Sequence, residues 1–433
     1  MHKIERLLHT LAPKGVEFRK LGEVCESTNK KTLKISEVSE VKNEGMYPVI
    51  NSGRDLYGYY YDFNNDGENI TIASRGEYAG FINYFNEKFF AGGLCYPYKV
   101  KDTNELLTKF LYFYLKTNEI QIMENLVSRG SIPALNKADI ETLTIPIPPL
   151  EIQQEIVKIL DAFTELNTEL NTELNARKKQ YEYYQNMLLD FNDINSNHKD
   201  TKMSAKPYPK RLKTLLQTLA PKGVEFRKLG DIGEYIRGVT YKKNQEINNL
   251  ECGIKVLRAN NITLSNHLNF EDIKVINKNV KIRKEQYLKK NDILICAGSG
   301  SSEHIGKVAF INTDFDYVFG GFMGVIRIRE VNSRFVYHIF TSNIFKQYLE
   351  KSLNTTTINN LNANILQNFL IPIPPLEIQQ EIVKILDQFS ALTTDLLAGI
   401  PAEIKARKKQ YEYYREKLLT FKPLTPNKEV DKE

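Results

Sequence analysis

The sequence predicts a duplicated α/β (α+β) protein: two globular regions separated by a long antiparallel two-helix coiled coil. Three observations carry this prediction. First, IPIPPLEIQQEIVKILD runs from Ile145 to Asp161 and again from Ile371 to Asp387. Second, TLAPKGVEFRKLG stands at Thr10 to Gly22 and Thr218 to Gly230, and ARKKQYEYY at Ala176 to Tyr184 and Ala406 to Tyr414. Third, each IPIPP is followed by a long stretch with helical apolar spacing. The matched blocks keep their order and are offset by 208, 226 and 230 residues, so the second variable stretch is longer by 18 residues and the segment after it by 4. A period above 200 residues means domain duplication; solenoid repeats run to about 20–50.

In chain order, residues 1–149 form the first globular region and 150–191 the first long helix. Residues 192–214 are the linker, 215–375 the second globular region, 376–421 the second long helix and 422–433 a tail. Short apolar runs bounded by turn residues dominate the globular regions. The first has YPVINSG at Tyr47, NITIASRG at Asn69, YAGFINY at Tyr78 and FFAGGLCYPYKV at Phe89. The second has IKVLRANNI at Ile254, DILICAGSG at Asp292, IGKVAFI at Ile305 and VFGGFMGVIRI at Val318. Gly92-Gly93 matches Gly320-Gly321, and Ile132, Leu135 and Asn136 match Ile358, Leu361 and Asn362. Terminal helices are expected at 109–125 and 333–352.

Pro146, Pro148 and Pro149 hold an extended approach that ends where a helix can begin, and no proline follows through Phe191. A helix of about 40 residues would be ~60 Å long. Its apolar positions Ile152, Ile156, Ile159, Phe163, Leu166, Leu170 and Leu174 make a coiled-coil seam that continues to Tyr181, Tyr184 and Leu188. The second seam is Ile378, Ile382, Ile385, Phe389, Leu392, Leu396 and Ile404, with Ile400 as one further apolar step. TELN occurs three times between Thr164 and Asn175, and each four-residue unit is a stutter in a heptad pattern. Pro401 should kink the second helix by crowding the carbonyl of Leu397. Asn192 to Lys206, polar and aperiodic, reads as the loop that turns the chain back.

Composition sets the class. With 42% hydrophobic and 26% charged residues in 433, the chain can bury two cores and still expose long helices. The net charge of +6 suits an anionic partner without demanding one. Cys25, Cys95, Cys252 and Cys296 include no close pair, which argues against a zinc site or a disulfide framework and for the reducing cytoplasm. No run approaches the ~18 apolar residues of a membrane span, so no membrane is expected as a partner.

The order of elements, the doubled IPxPPLxxQxxI pattern, the ARKKQYEYY blocks and the tetrads resemble the DNA specificity subunit of type I restriction-modification systems, over essentially the whole chain. The resemblance implies that each globular region is a target recognition domain reading one half of a split double-stranded DNA sequence. It further implies that the helices set half-site spacing and dock two methyltransferase subunits, which restriction subunits then join. S-adenosylmethionine, ATP and Mg would belong to those partner subunits, with no cofactor in this chain. Two alternatives stay open: a self-sufficient DNA methyltransferase, and a coiled-coil nucleic-acid-binding scaffold.

The residues favour a reader that does no chemistry. IPPL at Ile147 and Ile373 lacks the Asn or Asp that would accept the target amine, and Leu150 and Leu376 stand where an aromatic would stack on an extruded base. Gly298-Ser299-Gly300 and Gly306-Lys307 are spaced too widely for a phosphate loop, and Val308 replaces the Ser or Thr that binds magnesium. No HExxH pair occurs. The candidate DNA-reading residues are polar and basic groups of loops that follow strands, because such groups pair with base edges and phosphates. In the first region they are Asn51, Ser52, Arg54, Ser74, Arg75 and Tyr78. In the second they are Arg258, Asn260, Asn261, Ser299, Ser301, Ser302, His304 and Lys307. Any one of them alone would also fit a solvated turn. The tetrads have a physical reading as a ruler. Four residues add ~6 Å and ~40° beyond a full turn, and one B-DNA base pair turns about 34–36°.

Overall fold

The computed structural model describes residues 2–191, 208–247, 252–299, 304–353, 361–394 and 399–424. The chain forms two compact units, Met1–Leu170 with Ile404–Glu433, and Asn171–Glu403. Each unit thus combines one globular region with the near half of the helix that follows it and the far half of the helix from the other repeat.

In the first unit a four-stranded antiparallel sheet has the order Cys25–Ser27, Cys95–Val100, Glu68–Ala73, Ile82–Asn86. Ile70, Ile72 and Ile82 on it pack in one core with Phe110 and Leu111 of helix Thr108–Thr117, all at most 1% exposed. Burial at that level is worth about 1.5–3 kcal/mol per side chain. A smaller sheet pairs Tyr47–Ile50 antiparallel with Gly58–Tyr60 and parallel with Phe90–Ala91. Two of the repeated blocks close on each other, Glu17–Lys20 against Thr144–Ile147 with Phe18 opposite Pro146.

The second unit repeats the plan. Its main sheet runs Gly233–Arg237, Met323–Ile328, Ile293–Cys296, Val308–Phe310. The smaller sheet is Glu246–Ile247, Lys274–Ile276, Ile254–Leu257, Tyr317–Phe319, one strand more than in the first unit, as the longer variable stretch allows. Glu225–Lys228 pairs with Leu370–Ile373.

The expected terminal helices are each two helices. Thr108–Thr117 and Glu119–Leu126 meet at Asn118, whose side chain donates to Tyr114 O at 2.8 Å. Ser333–Phe340 and Asn343–Leu353 meet near Ser342, whose hydroxyl donates to Ile339 O at 2.7 Å and accepts from Ile344 N at 3.3 Å. Short polar side chains that bond the local backbone compete with helix continuation.

The repeated PPLEIQQ block has a structural cause. Gln153, buried at the start of helix Leu150–Leu189, accepts from Leu107 N at 2.8 Å and donates to Glu105 O at 2.8 Å and Pro148 O at 2.7 Å. Gln379 likewise accepts from Asn332 N at 2.9 Å and donates to Pro374 O at 2.6 Å. Each glutamine bolts a helix onto its globular region. Removing it strands buried backbone groups, at about 1–3 kcal/mol. Gln153→Ala is therefore expected to lower the stability of the first unit by that amount in urea denaturation, and Gln379→Ala that of the second. A change below ~0.5 kcal/mol in either would contradict this role.

Ile152, Ile156, Ile378 and Ile382 are fully buried, and Ile404 and Leu188 nearly so. Ile159, Phe163, Leu166, Leu170, Leu174, Tyr181, Tyr184, Ile385 and Phe389 are half-buried. Leu160 and Leu386, outside the expected seam, are fully buried, because near the globular region the helix buries a wider stripe than a coiled-coil seam. Leu392 is 48% exposed, and Leu396 lies outside the described residues.

In the first unit Phe163 packs on Tyr414 at 5.7 Å and Tyr411 at 6.2 Å. Val16 bridges Pro423 beside the Glu17–Ile147 pairing, so the end of helix Ile400–Leu418 lies by the start of the long helix, and the two are antiparallel. In the second unit Tyr184 stacks on Phe389 at 5.1 Å while Leu188 and Phe191 share a core with Ile378 and Ile382, again antiparallel. Among the described residues the second long helix shows Leu376–Thr394 and Ile400–Leu418, with Pro401 in the first turn of the latter, where a missing N–H breaks no helical bond. Leu397 and the turn-back loop expected at 192–206 lie outside the described residues.

The aspartate that ends each 17-residue block is a second anchor. Asp161 pairs with Lys109 at 2.8 Å. Asp387 accepts from Arg334 Nε at 2.9 Å and lies 2.8 Å from His338 Nε2, and the Tyr181 hydroxyl lies 3.4 Å from His338 Nδ1. Burial pushes the His338 pKa down from 6.5 against the opposing pull of Asp387. Burial alone would raise Asp387, but the His338 hydrogen bond and the Arg334 charge outweigh it and hold it below 3.8. The unfolded chain therefore takes up a proton at His338 more readily than the folded chain, and stability falls as pH drops below about 6.5; the Asp387 contribution follows at lower pH. Phe113 occupies the matching place in the first unit, four residues after Lys109 as His338 is after Arg334. His338→Phe is expected to flatten the fall in the urea midpoint of the second unit between pH 7.5 and 5.5. An equal fall in the variant would contradict the assignment.

Candidate nucleic-acid interface

Three strand ends converge at one edge of each unit. In the first, Ile50 O accepts from Gly92 N at 2.7 Å, Leu94 O from Ser74 N at 2.9 Å, and Ser74 O from Leu135 N at 2.8 Å. In the second, Leu257 O accepts from Gly320 N at 2.9 Å, Phe322 O from Ala297 N at 2.9 Å, and Ala297 O from Leu361 N at 2.8 Å. The loops after Ile50 and Leu257, after Ala73 and Cys296, and the Gly-Gly turns are thus matching positions. Their backbones agree and their side chains differ.

In the first unit Asn51 is half-buried, its Oδ1 accepting from Leu94 N at 3.0 Å, and Ser52 is half-buried beside it. Arg54 and Arg75 are exposed, Arg54 with only a surface contact to Asp55 at 3.4 Å. Tyr78 is exposed, its ring edge-on to Phe81. Ser74 is buried within the strand-end hydrogen bonds, which corrects its expected place at a base.

In the second unit Asn260 is exposed and Arg258 is held by Asp272 at 2.7 Å. Asn261 is buried, accepting from Arg258 N at 2.8 Å and donating to Asn269 O and Asp272 O. It shapes the loop and cannot reach a base. Lys307 is also corrected: its buried ammonium donates to Ala259 O at 3.2 Å and Ile262 O at 2.5 Å, so it serves neither DNA nor a phosphate loop. Ser299 and His304 are half-buried, and Ser301 and Ser302 lie outside the described residues.

Sequence reasoning missed Arg237, Tyr241, Lys243, Lys274 and Phe322. With Arg258, Asn260 and Ser299 they line a cavity of about 750 Å³. Arg237 and Phe322 also line a second cavity of about 540 Å³, with Arg283 and Asn362. The available signal was the Gly-Gly pair, which marks a tight turn carrying the next residue outward.

Among the described residues no group of three or more His, Cys, Asp or Glu is placed to hold a metal, and no helix is long and apolar enough to cross a membrane. Two α+β units of one plan, alike in their helices and unlike in the loops at matching strand ends, define a duplicated recognition protein.

The model of the type I restriction modification DNA specificity domain matches residues 13–179 and 221–406. A putative type I restriction enzyme specificity subunit of Haemophilus influenzae is 32% identical over 422 residues, 94% of this chain and 96% of the relative. A specificity subunit of an Escherichia coli type I restriction enzyme is 27% identical and covers 98% of each chain. The crystal structure of the Mycoplasma genitalium type I restriction-modification S subunit superposes with a TM-score of 0.58 at 17% identity, covering 93% of this chain and 95% of that one, a likeness of fold. The chain belongs to the type I restriction-modification DNA specificity family. It is a non-catalytic recognition subunit.

Proposed function

We propose that each unit reads one half of a split, asymmetric DNA target and that the paired helices fix the distance between the halves. The observation that carries this is the pair of matching strand-end loops with unlike side chains: Asn51 and Ser52 follow Ile50 where Arg258 and Ala259 follow Leu257, and Ser74 and Arg75 follow Ala73 where Ala297 and Gly298 follow Cys296. A protein that read one palindromic sequence would present like side chains at like positions.

Two methyltransferase subunits dock on the helices, and restriction subunits join that core. The helical blocks support two equivalent docking places. Lys178, Lys179 and Tyr183 are exposed, as are Lys408, Lys409 and Tyr413. Packing accounts for identity at buried positions of a repeat; identity at exposed ones points to a shared partner. Alanine at Lys178, Lys179 and Tyr183 is expected to reduce the methyltransferase subunits bound from two to one by native mass spectrometry. Retention of both would contradict the docking face.

The reading is tested by the chain with its methyltransferase subunits on duplex DNA. It predicts sequence-selective binding that weakens steeply with salt, and no binding of S-adenosylmethionine by the isolated chain. Selective methylation by the chain alone would overturn it.

A further inference from the structure

The residue after each Gly-Gly pair is apolar and solvent-facing. Phe322 is 74% exposed, the highest value among the large exposed hydrophobics of the described residues, and Leu94 is 40% exposed. A single exposed apolar side chain is ordinary; these two differ in how they are held. Phe322 O accepts from both Ala297 N and Gly298 N, and Leu94 is fixed at O by Ser74 N and at N by the Asn51 side chain. The first turn is tightly packed, and the second is closed on one side by Gly238 and Thr240, a Cβ on Gly321 standing 3.1 Å from Thr240 Oγ1. A Cβ on Gly92 would stand 2.4 Å from Asn51 Oδ1, and one on Gly238 would stand 2.0 Å from Gly320 O. A rigid backbone therefore presents each apolar side chain outward.

The surroundings of Phe322 identify its partner. Phe322 lines both cavities; Arg237, Lys243, Arg258 and Lys274 surround the larger with Glu246 as its one carboxylate, whereas Arg283 in the other is paired with Glu285 and shares that lining with Glu234. An apolar protein surface would not call for the excess of cations around the larger cavity. A base stack edged by phosphates would, because apolar wedges that enter a stack are flanked by groups that hold the backbone.

We propose that Phe322, and Leu94 in the first unit, are wedges that insert at a base step of their half-sites and determine specificity there. Pyrimidine–purine steps unstack most readily, so the half-site read by the second unit contains such a step at the Phe322 position. This rests on the proposal that the strand-end edges face DNA, and the two can fail separately.

The test uses the full chain with its methyltransferase subunits. Methylated sites are mapped for wild type, Phe322→Ala, Phe322→Leu and Leu94→Ala, and 2-aminopurine placed in turn along the half-sites reports unstacking. Phe322→Ala is expected to relax discrimination at one step of the second half-site by about tenfold or more, with Phe322→Leu retaining most of it. Leu94→Ala acts only on the first half-site. The fluorescence rise at the wedged step, present in wild type, is lost in Phe322→Ala. If Phe322→Ala leaves sites and fluorescence unchanged while Arg237→Ala or Lys243→Ala alters the second half-site, the wedge is refuted and the DNA-facing edge stands. If Phe322→Ala instead prevents methyltransferase assembly, Phe322 contacts protein and the wedge is refuted. If none of these variants affects DNA, the edge itself has been misassigned.

Discussion

Deleting one TELN tetrad from Thr164–Asn175 is expected to shift methylation to sites whose unread spacer is one base pair shorter. The tetrads lie wholly within the unbroken helix Leu150–Leu189. The first unit ends at Leu170 and the second begins at Asn171, both inside the tetrads. Removing four residues keeps the half-buried stripe of Leu166, Leu170 and Leu174 in phase with itself, so the helix survives. What changes is ~6 Å of length and ~40° of rotation. The rotation matches the 34–36° twist of one base pair, whereas the length is nearer two base-pair rises of 3.4 Å. Rotation should decide, because a misphased loop meets phosphates where it needs a groove floor. The original sites then lose several base contacts at about 1–3 kcal/mol each, so their binding falls ~100-fold or more. Competition between duplexes differing only in spacer length measures the shift. An unchanged spacer removes the ruler, and a shift of two base pairs makes length the deciding quantity.

Asp292→Ala is expected to destabilise the second unit by about 3–5 kcal/mol, the largest single-residue effect on folding. Asp292 is 1% exposed and accepts from both Nε and Nη2 of Arg327 at 2.8 Å, and from Lys289 N at 2.8 Å. The hydrogen bond to Asp292 raises the Arg327 pKa against the effect of burial. Alanine would leave a guanidinium whose side chain is 17% exposed without its carboxylate, and the Lys289 N–H of the turn before the strand without its acceptor. The matching position in the first unit, Asn69 before Ile70, is buried and uncharged, so that unit offers an internal control. Chemical denaturation followed by hydrogen exchange should show the loss confined to the second unit. A loss under 1 kcal/mol would mean that Arg327 finds water or another acceptor.

The duplication, the helices and their antiparallel sense were legible because repeats and apolar spacing are properties of the chain itself. Gln153 and Asp161 stood inside the repeated block with no visible purpose, since their partners Leu107 and Lys109 come from the variable stretch. Leu160 was missed because a seam was counted where the helix buries a broader face. Pro401 was read as a kink because a proline in a helical pattern looks alike whether a helix bends or begins. At the proposed DNA edge, polar type alone did not separate Asn260, which faces solvent, from its neighbour Asn261, which is bonded inside the loop. Phe322 escaped notice because attention to base edges favours polar groups, and only burial reveals an apolar side chain facing water.

The central claim is that two unlike readers on one chain each control one half of a split site. The most direct measurement is genome-wide mapping of methylated bases in cells that make this chain with its methyltransferase subunits, for wild type and for Arg54→Ala, Arg75→Ala, Tyr78→Ala combined. The account predicts a bipartite motif in wild type, and in the variant a relaxed sequence in one half with the other half and the spacer unchanged. A continuous motif, or a variant in which both halves change together, would contradict it.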